Sequence, residues 1–242
     1  MAGKFIDFKM VAATRSSKQM QHAETRPRRP PVTLRAHHRN GLAFREQHRR
    51  GDGLSGDGFP GALWIPAHKD RFRVQASRTV EEIVLHITAG GTDKAEITAK
   101  NAFGIPKYIQ NGVWKSQAAH YVIGRDGAVV QCVLHKDIAH HAGPANEWTI
   151  GIEHNARAGK DKKLTAAQYL KSAELVVWLC QRFGLSPTRN SISGHSEVDP
   201  GTTHTGCPGK VLNWDTYMAA IYHVQEVARG HTPMRLWSDD DV

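Results

Sequence analysis

"EEIVLHIT", residues 81–88, is a run of β-branched and apolar side chains interrupted once, by His86. Apolar on both alternating faces, it reads as a strand buried within a sheet. The segments that follow have the same character. "AHYVIGRDGAVVQCV" (119–133) is two strand-like runs about Arg125-Asp126-Gly127, and Asp-Gly is a strong hairpin signal. "TIGIEHNA" (149–156) is a further strand, broken by Gly151. "KLTAAQYLKSAELVVWLCQRFG" (163–184) is helical instead. Ala166, Tyr169, Leu170, Ala173, Val176, Val177, Cys180 and Phe183 fall on one stripe of it. Thr165 can cap this helix with Gln168 three residues on, and Gly184 can close it. A last helix is expected from about Trp214 to Val227, and a shorter one near 93–103. Strands interleaved with helices make an α/β chain, with a central mixed β-sheet flanked by helices.

The chain has 242 residues, 40% of them hydrophobic, which suffices for a sizeable core. No apolar run approaches the roughly 20 residues of a membrane span. The first twenty residues lack an apolar stretch long enough for a signal peptide, so synthesis in the cytoplasm is expected. Charge is placed unevenly. Residues 1–50 hold twelve Lys or Arg against three Asp or Glu, a balance of +9 that equals the whole chain's formal +9. Residues 51–242 hold twenty of each and are neutral. With "RPRRPPVTLRAHHR" and "GDGLSGDG" inside it, the stretch 1–60 reads as a basic, largely flexible arm. The folded domain is then expected over 61–228 and a tail over 229–242. Such an arm is either a solvated tail or a contact to an anionic envelope surface. Nucleic acid is not expected as a partner, because no aromatic interleaving or binding module accompanies the arginines.

Three cysteines are too few and too scattered for a disulfide framework. Cys132 and Cys180 sit in apolar runs and read as small core residues. Cys207 is different: it ends the polar loop "GHSEVDPGTTHTGCPG" (194–209), twelve positions after His195. A loop so poor in apolar groups adds little to a core, so the residues at its ends have another job. His86 and His195, both at strand positions, and Cys207 on the adjoining loop form a candidate three-ligand zinc set with an open fourth position. Taken singly, His86 reads equally as a hydrogen-bonded core histidine. Glu153 lies on the strand face opposite Ile150 and Ile152. It is a solvent-facing residue or, if that face holds a metal, a proton acceptor for an activated water. "IAHHAG" (138–143) offers His140 and His141 as groove-lining or ordinary loop residues.

"IVLHIT", "AAHYVIGRDGAVVQCV", "IAHHAG", "TIGIEHNA" and "GHSEVDP…CPG", in that order, resemble the type 2 N-acetylmuramoyl-L-alanine amidases. That family includes phage endolysins, bacterial wall-recycling amidases and the animal peptidoglycan recognition proteins. The resemblance covers roughly residues 61–222. It implies a zinc site at one face of the sheet, with His86, His195 and Cys207 as ligands to Zn2+. It implies Glu153 as the catalytic acid/base and His141 near the substrate. Two departures accompany it. Thr205 stands where a lysine often supports the oxyanion, and Ala119 replaces a tyrosine that some members place beside the metal. His204, on a loop longer than is usual in the family, is a candidate to stand in for the lysine.

The implied reaction is hydrolysis of the amide between N-acetylmuramic acid and L-alanine in peptidoglycan. Two other readings compete with it. One is a non-catalytic peptidoglycan-binding recognition module; the other is a cysteine hydrolase using Cys207 with His195, which should survive chelation. The route to the wall is left open between holin release of an endolysin, delivery by a secretion machine, and a recycling enzyme.

Overall fold

The computed structural model describes residues 58–231 apart from 91 and 158, together with residue 238. The expected arm over 1–60 and tail over 229–242 fall almost wholly outside the described residues. In chain order the elements are β1 (Leu63–Trp64), β2 (Phe72–Arg73), β3 (Glu82–Ile87) and helix α1 (Ala95–Thr98), which widens into a π-helical turn over Ala99–Phe103. Next come β4 (Tyr108–Gln110), β5 (Val113–Lys115), β6 (Tyr121–Ile123), β7 (Val129–Gln131), β8 (Ile138–Ala139) and β9 (Thr149–His154). The chain continues with α2 (Ala166–Phe183), β10 (Ile192–Gly194), the short α3 (His195–Val198) and α4 (Trp214–Ala228).

Six strands form one sheet in the order β1-β7-β6-β9-β3-β10. Only β6 and β7 run antiparallel, joined by the turn expected at Asp126-Gly127; every other neighbouring pair is parallel. The sheet is therefore mixed. Gly127 adopts φ 81°, a left-handed conformation that Asp-Gly hairpins select.

Strand parity divides the molecule into two layers. Ile83 and Leu85 of β3, Ile150 and Ile152 of β9, and Tyr121 and Ile123 of β6 are fully buried on one face. They pack against Tyr169, Ala173, Val176 and Cys180 of α2 and Tyr217, Ala220 and Ile221 of α4. At about 1.5–3 kcal/mol for each large apolar side chain, this layer supplies most of the driving force for folding. On the other face Val122 and Val130 meet Ala95, Ala99 and Phe103 of the α1 segment. Val84 meets Ala142 and Ala145 there. His86 and Glu153 belong to this second face.

α2 is capped as its sequence requires. Thr165 Oγ1 accepts from the Gln168 N–H at 3.2 Å, Gln168 Oε1 accepts from the Thr165 N–H at 3.1 Å, and Gly184 closes the helix at φ 66°. The buried surface is wider than the expected stripe. Leu175, Leu179, Gln168 and Ser172 are buried as well, while Leu170 and Phe183 are only partly covered. The reason is α4, which packs along α2 and covers a second flank. The two polar members are satisfied there: Gln168 donates to Asn155 O at 2.9 Å, and Ser172 Oγ lies 2.7 Å from Tyr217 Oη.

Candidate metal centre and active site

The parallel pairing of β3 with β9 sets His86 directly opposite Glu153. Neighbouring strands lie about 4.8 Å apart, so the two side chains rise side by side from the same face. His195 arrives from the next strand over. β10 pairs with β3 and ends at Gly194, so that His195 opens α3 at the same end of the sheet. Cys207 is drawn in by backbone contacts: its carbonyl accepts from Ser196 N–H and its N–H donates to His204 O, each at 3.0 Å. Its sulfur accepts from the Ile87 N–H at 3.5 Å.

The result is a group of three. One ligand atom from each of His86, His195 and Cys207 lies within 4.8 Å of the others, and all three residues are buried. Two imidazoles and a thiol at that separation could hold a metal ion between them. A donor set of two nitrogens and one sulfur suits zinc, with one position left open. The chemistry of the loop agrees with this. Residues 200–206 remain largely exposed, while Cys207 at its end is only 9% exposed. Burial pushes the Cys207 thiol up to about 12, with the Glu153 charge adding to the effect, so Cys207 is poorly prepared as an unassisted nucleophile.

Glu153 combines partial area burial with one carboxylate oxygen, Oε2, that is fully buried and lacks a hydrogen-bond partner. Desolvation alone raises its carboxyl to about 8. A buried acceptor left unsatisfied is costly unless it is used. His204 stacks on His195, ring centroids 5.8 Å apart at 23°, and stays exposed. Thr205 is exposed on the same turn.

His141, expected near the substrate, lies against His86. It is 7% exposed, and its Nδ1 lies 3.0 Å from His86 Nε2 on the side away from Cys207. Its ring covers Gly151, where a Cβ would stand 2.6 Å from the imidazole. That close approach is why the strand "TIGIEHNA" carries a glycine.

Several residues that sequence reasoning passed over complete the surroundings. Asp199 Oδ2 lies 3.4 Å from His195 Nε2. A spacing of four residues on a helical turn was the available signal. Gly143, at φ 54°, gives Asp199 room, since a Cβ there would stand 2.8 Å from Oδ2. Arg78 ties three chain segments together by donating to the carbonyls of His135, Asn146 and Thr149, each at 2.8 Å. His120 Nδ1 accepts from the Gly151 N–H at 3.1 Å, and its Nε2 bonds the Asp137 carbonyl at 3.1 Å.

Fold and site together define an α/β domain in which two histidines and a cysteine that could hold a metal ion converge beside a carboxylic acid. The family model of N-acetylmuramoyl-L-alanine amidase matches residues 76–210, a span that contains His86, His195, Cys207 and Glu153. The chain belongs to the N-acetylmuramoyl-L-alanine amidase family, and it is an enzyme of peptidoglycan amide hydrolysis. It is 28% identical over 180 residues to N-acetylmuramoyl-L-alanine amidase A of Achromobacter lyticus, covering 67% of this chain and 94% of that protein. It is 29% identical over 112 residues to the 1,6-anhydro-N-acetylmuramyl-L-alanine amidase AmpD of Haemophilus influenzae, 43% of this chain and 58% of that one. In structure it resembles an AmpD selenomethionine derivative, with TM-score 0.55, 23% identity, and coverage of 69% of this chain and 98% of that chain. A mutant endolysin from Bacillus subtilis has the same fold at TM-score 0.52 and 20% identity, with 66% and 97% covered. Among the described residues no helix is long and apolar enough to cross a membrane.

Proposed function

We propose that this amidase is zinc-dependent, with His86, His195 and Cys207 as ligands and Glu153 as the residue that moves the proton. The observation that carries the reading is the buried, unpartnered Oε2 of Glu153 beside the three converging ligand atoms. When bound, zinc would polarise the lactyl carbonyl of N-acetylmuramic acid and lower the pKa of water from 15.7 toward about 7. Glu153 Oε2 accepts the proton of the attacking water and delivers it to the nitrogen of L-alanine as the amide breaks. In this reading His204, exposed and stacked on His195, or Thr205 on the same turn donates to the oxygen on which negative charge develops.

The basic balance of residues 1–50 supports an arm that draws the enzyme to anionic envelope polymers. The same reading has the protein delivered to the wall through a holin-type pore or by a secretion machine. Glu153→Gln is the direct test of the proposed chemistry. It keeps the shape of the side chain and removes its basicity, so kcat should fall by about 10²–10⁴-fold while one zinc per chain is retained. Full activity in that variant would remove Glu153 from the mechanism.

A further inference from the structure

The side of His86 that faces away from Cys207 carries a chain of polar contacts with only one consistent assignment of hydrogens. Thr149 Oγ1 donates to the Ala145 carbonyl at 2.7 Å. Its single hydrogen is then committed, so toward His141 Nε2, 3.2 Å away, it can only accept. His141 therefore carries its hydrogen on Nε2, and as a neutral imidazole its Nδ1 is bare. Nδ1 lies 3.0 Å from His86 Nε2 and must accept, so His86 carries its hydrogen on Nε2 as well. What remains is the bare Nδ1 of His86, 3.9 Å from the Cys207 sulfur. The backbone carbonyl of Ala145 thus determines, through two side chains, which nitrogen His86 offers to the site.

We propose that His141, held by Thr149, is a positioning residue that fixes His86 in the tautomer presenting Nδ1 to the metal. This rests on the ligand assignment above. The surroundings of His141 hold it on several sides. Its backbone N–H and that of Ala142 both donate to Asn146 Oδ1, at 2.9 and 2.6 Å, and its ring lies against Gly151. The other ligand histidine has the same arrangement by a different device. Asp199, a carboxylate that can only accept when ionised, faces His195 Nε2 at 3.4 Å and leaves Nδ1 bare there too. Partners of this kind around a metal site are worth about 10–100-fold in metal affinity.

The test uses the full chain with three substitutions. His141→Phe keeps the bulk and removes the acceptor. His141→Asn restores an acceptor at the Nδ1 position, and Thr149→Val leaves the ring in place while freeing its orientation. Zinc affinity, read by competition with a chromophoric chelator, should fall about 10–100-fold in His141→Phe. It should recover in His141→Asn, and in Thr149→Val it should fall by about tenfold, the lower end of that range. With zinc saturating, KM should be unchanged in all three. In zinc-free wild-type protein, long-range proton–nitrogen NMR correlations should show both His86 and His141 as Nε2–H tautomers. Zinc affinity equal to wild type in both His141→Phe and Thr149→Val, or a raised KM alone, overturns the proposal and makes His141 a substrate contact. Wild-type protein that takes up no zinc overturns the ligand assignment and this proposal together.

Discussion

Glu153 and Cys207 owe their properties to burial beside one another, and that has measurable consequences at the scale of single residues. Without a cation nearby, the Glu153 carboxyl sits at about 8, far above its value of about 4.3 in an unfolded chain. An acid whose folded pKa is raised holds its proton in the folded state while the unfolded chain has released it. Folding stability contributed by this group is thus present below about pH 4 and is lost as pH rises toward 8. Glu153→Gln should therefore raise the melting temperature of the chelator-treated protein at pH 8, an effect absent at pH 4, as scanning calorimetry can read. A bound dication reverses the local logic, favouring the carboxylate and the Cys207 thiolate together. The same substitution that is expected to lower kcat should thus stabilise the metal-free fold. An unchanged melting temperature at pH 8 would mean that Glu153 is better solvated than its buried Oε2 indicates.

At the scale of elements, the site depends on register. β3 and β9 are parallel with His86 opposite Glu153, so a slip of one residue in either strand would turn one of them into the apolar core. Gly151→Ala places a methyl against the His141 ring and should cost about 1–3 kcal/mol in urea unfolding, with weaker zinc binding as His141 is displaced. Loss of the α2 cap in Thr165→Ala should cost about 1 kcal/mol and leave zinc binding untouched. Together these two variants separate damage to the site from damage to the fold. Much of this layer was legible in the sequence. Alternation placed Glu153 on the face away from Ile150 and Ile152, and Asp-Gly and the capping box marked the hairpin and helix α2. What stayed hidden was whatever depends on contacts between distant segments. His120 and Arg78 bond to carbonyls or amides on other segments, which no local pattern announces. The burial of Ser172 depends on α4, whose Tyr217 lies forty-five residues further along the chain. His141 was visible as a motif residue, but its orientation toward His86 was not.

For the whole molecule, the buried histidines tie stability to pH. His154 is fully buried, with Nδ1 donating to His86 O at 2.9 Å and Nε2 facing Ser172 Oγ at 2.8 Å, and burial lowers it to about 4. His120 is lowered well below 6.5 by burial and by the Arg78 charge. A base whose folded pKa is depressed resists protonation that the unfolded chain accepts. Stability is therefore full above about pH 6.5 and is lost as pH falls toward 4, with His154 alone accounting for about 3 kcal/mol. Urea midpoints should drop steeply between pH 7 and 5, and His154→Gln should flatten that slope. The reaction itself tests the proposed zinc centre most directly. The measurement to make is incubation of purified full-length protein with peptidoglycan sacculi and identification of the soluble products by mass spectrometry, with chelator and then with zinc restored. We expect stem peptides beginning at L-alanine beside intact glycan, lost with chelator and regained with zinc. The same cleavage persisting in metal-free protein would contradict the zinc centre and return Cys207 to consideration as the nucleophile.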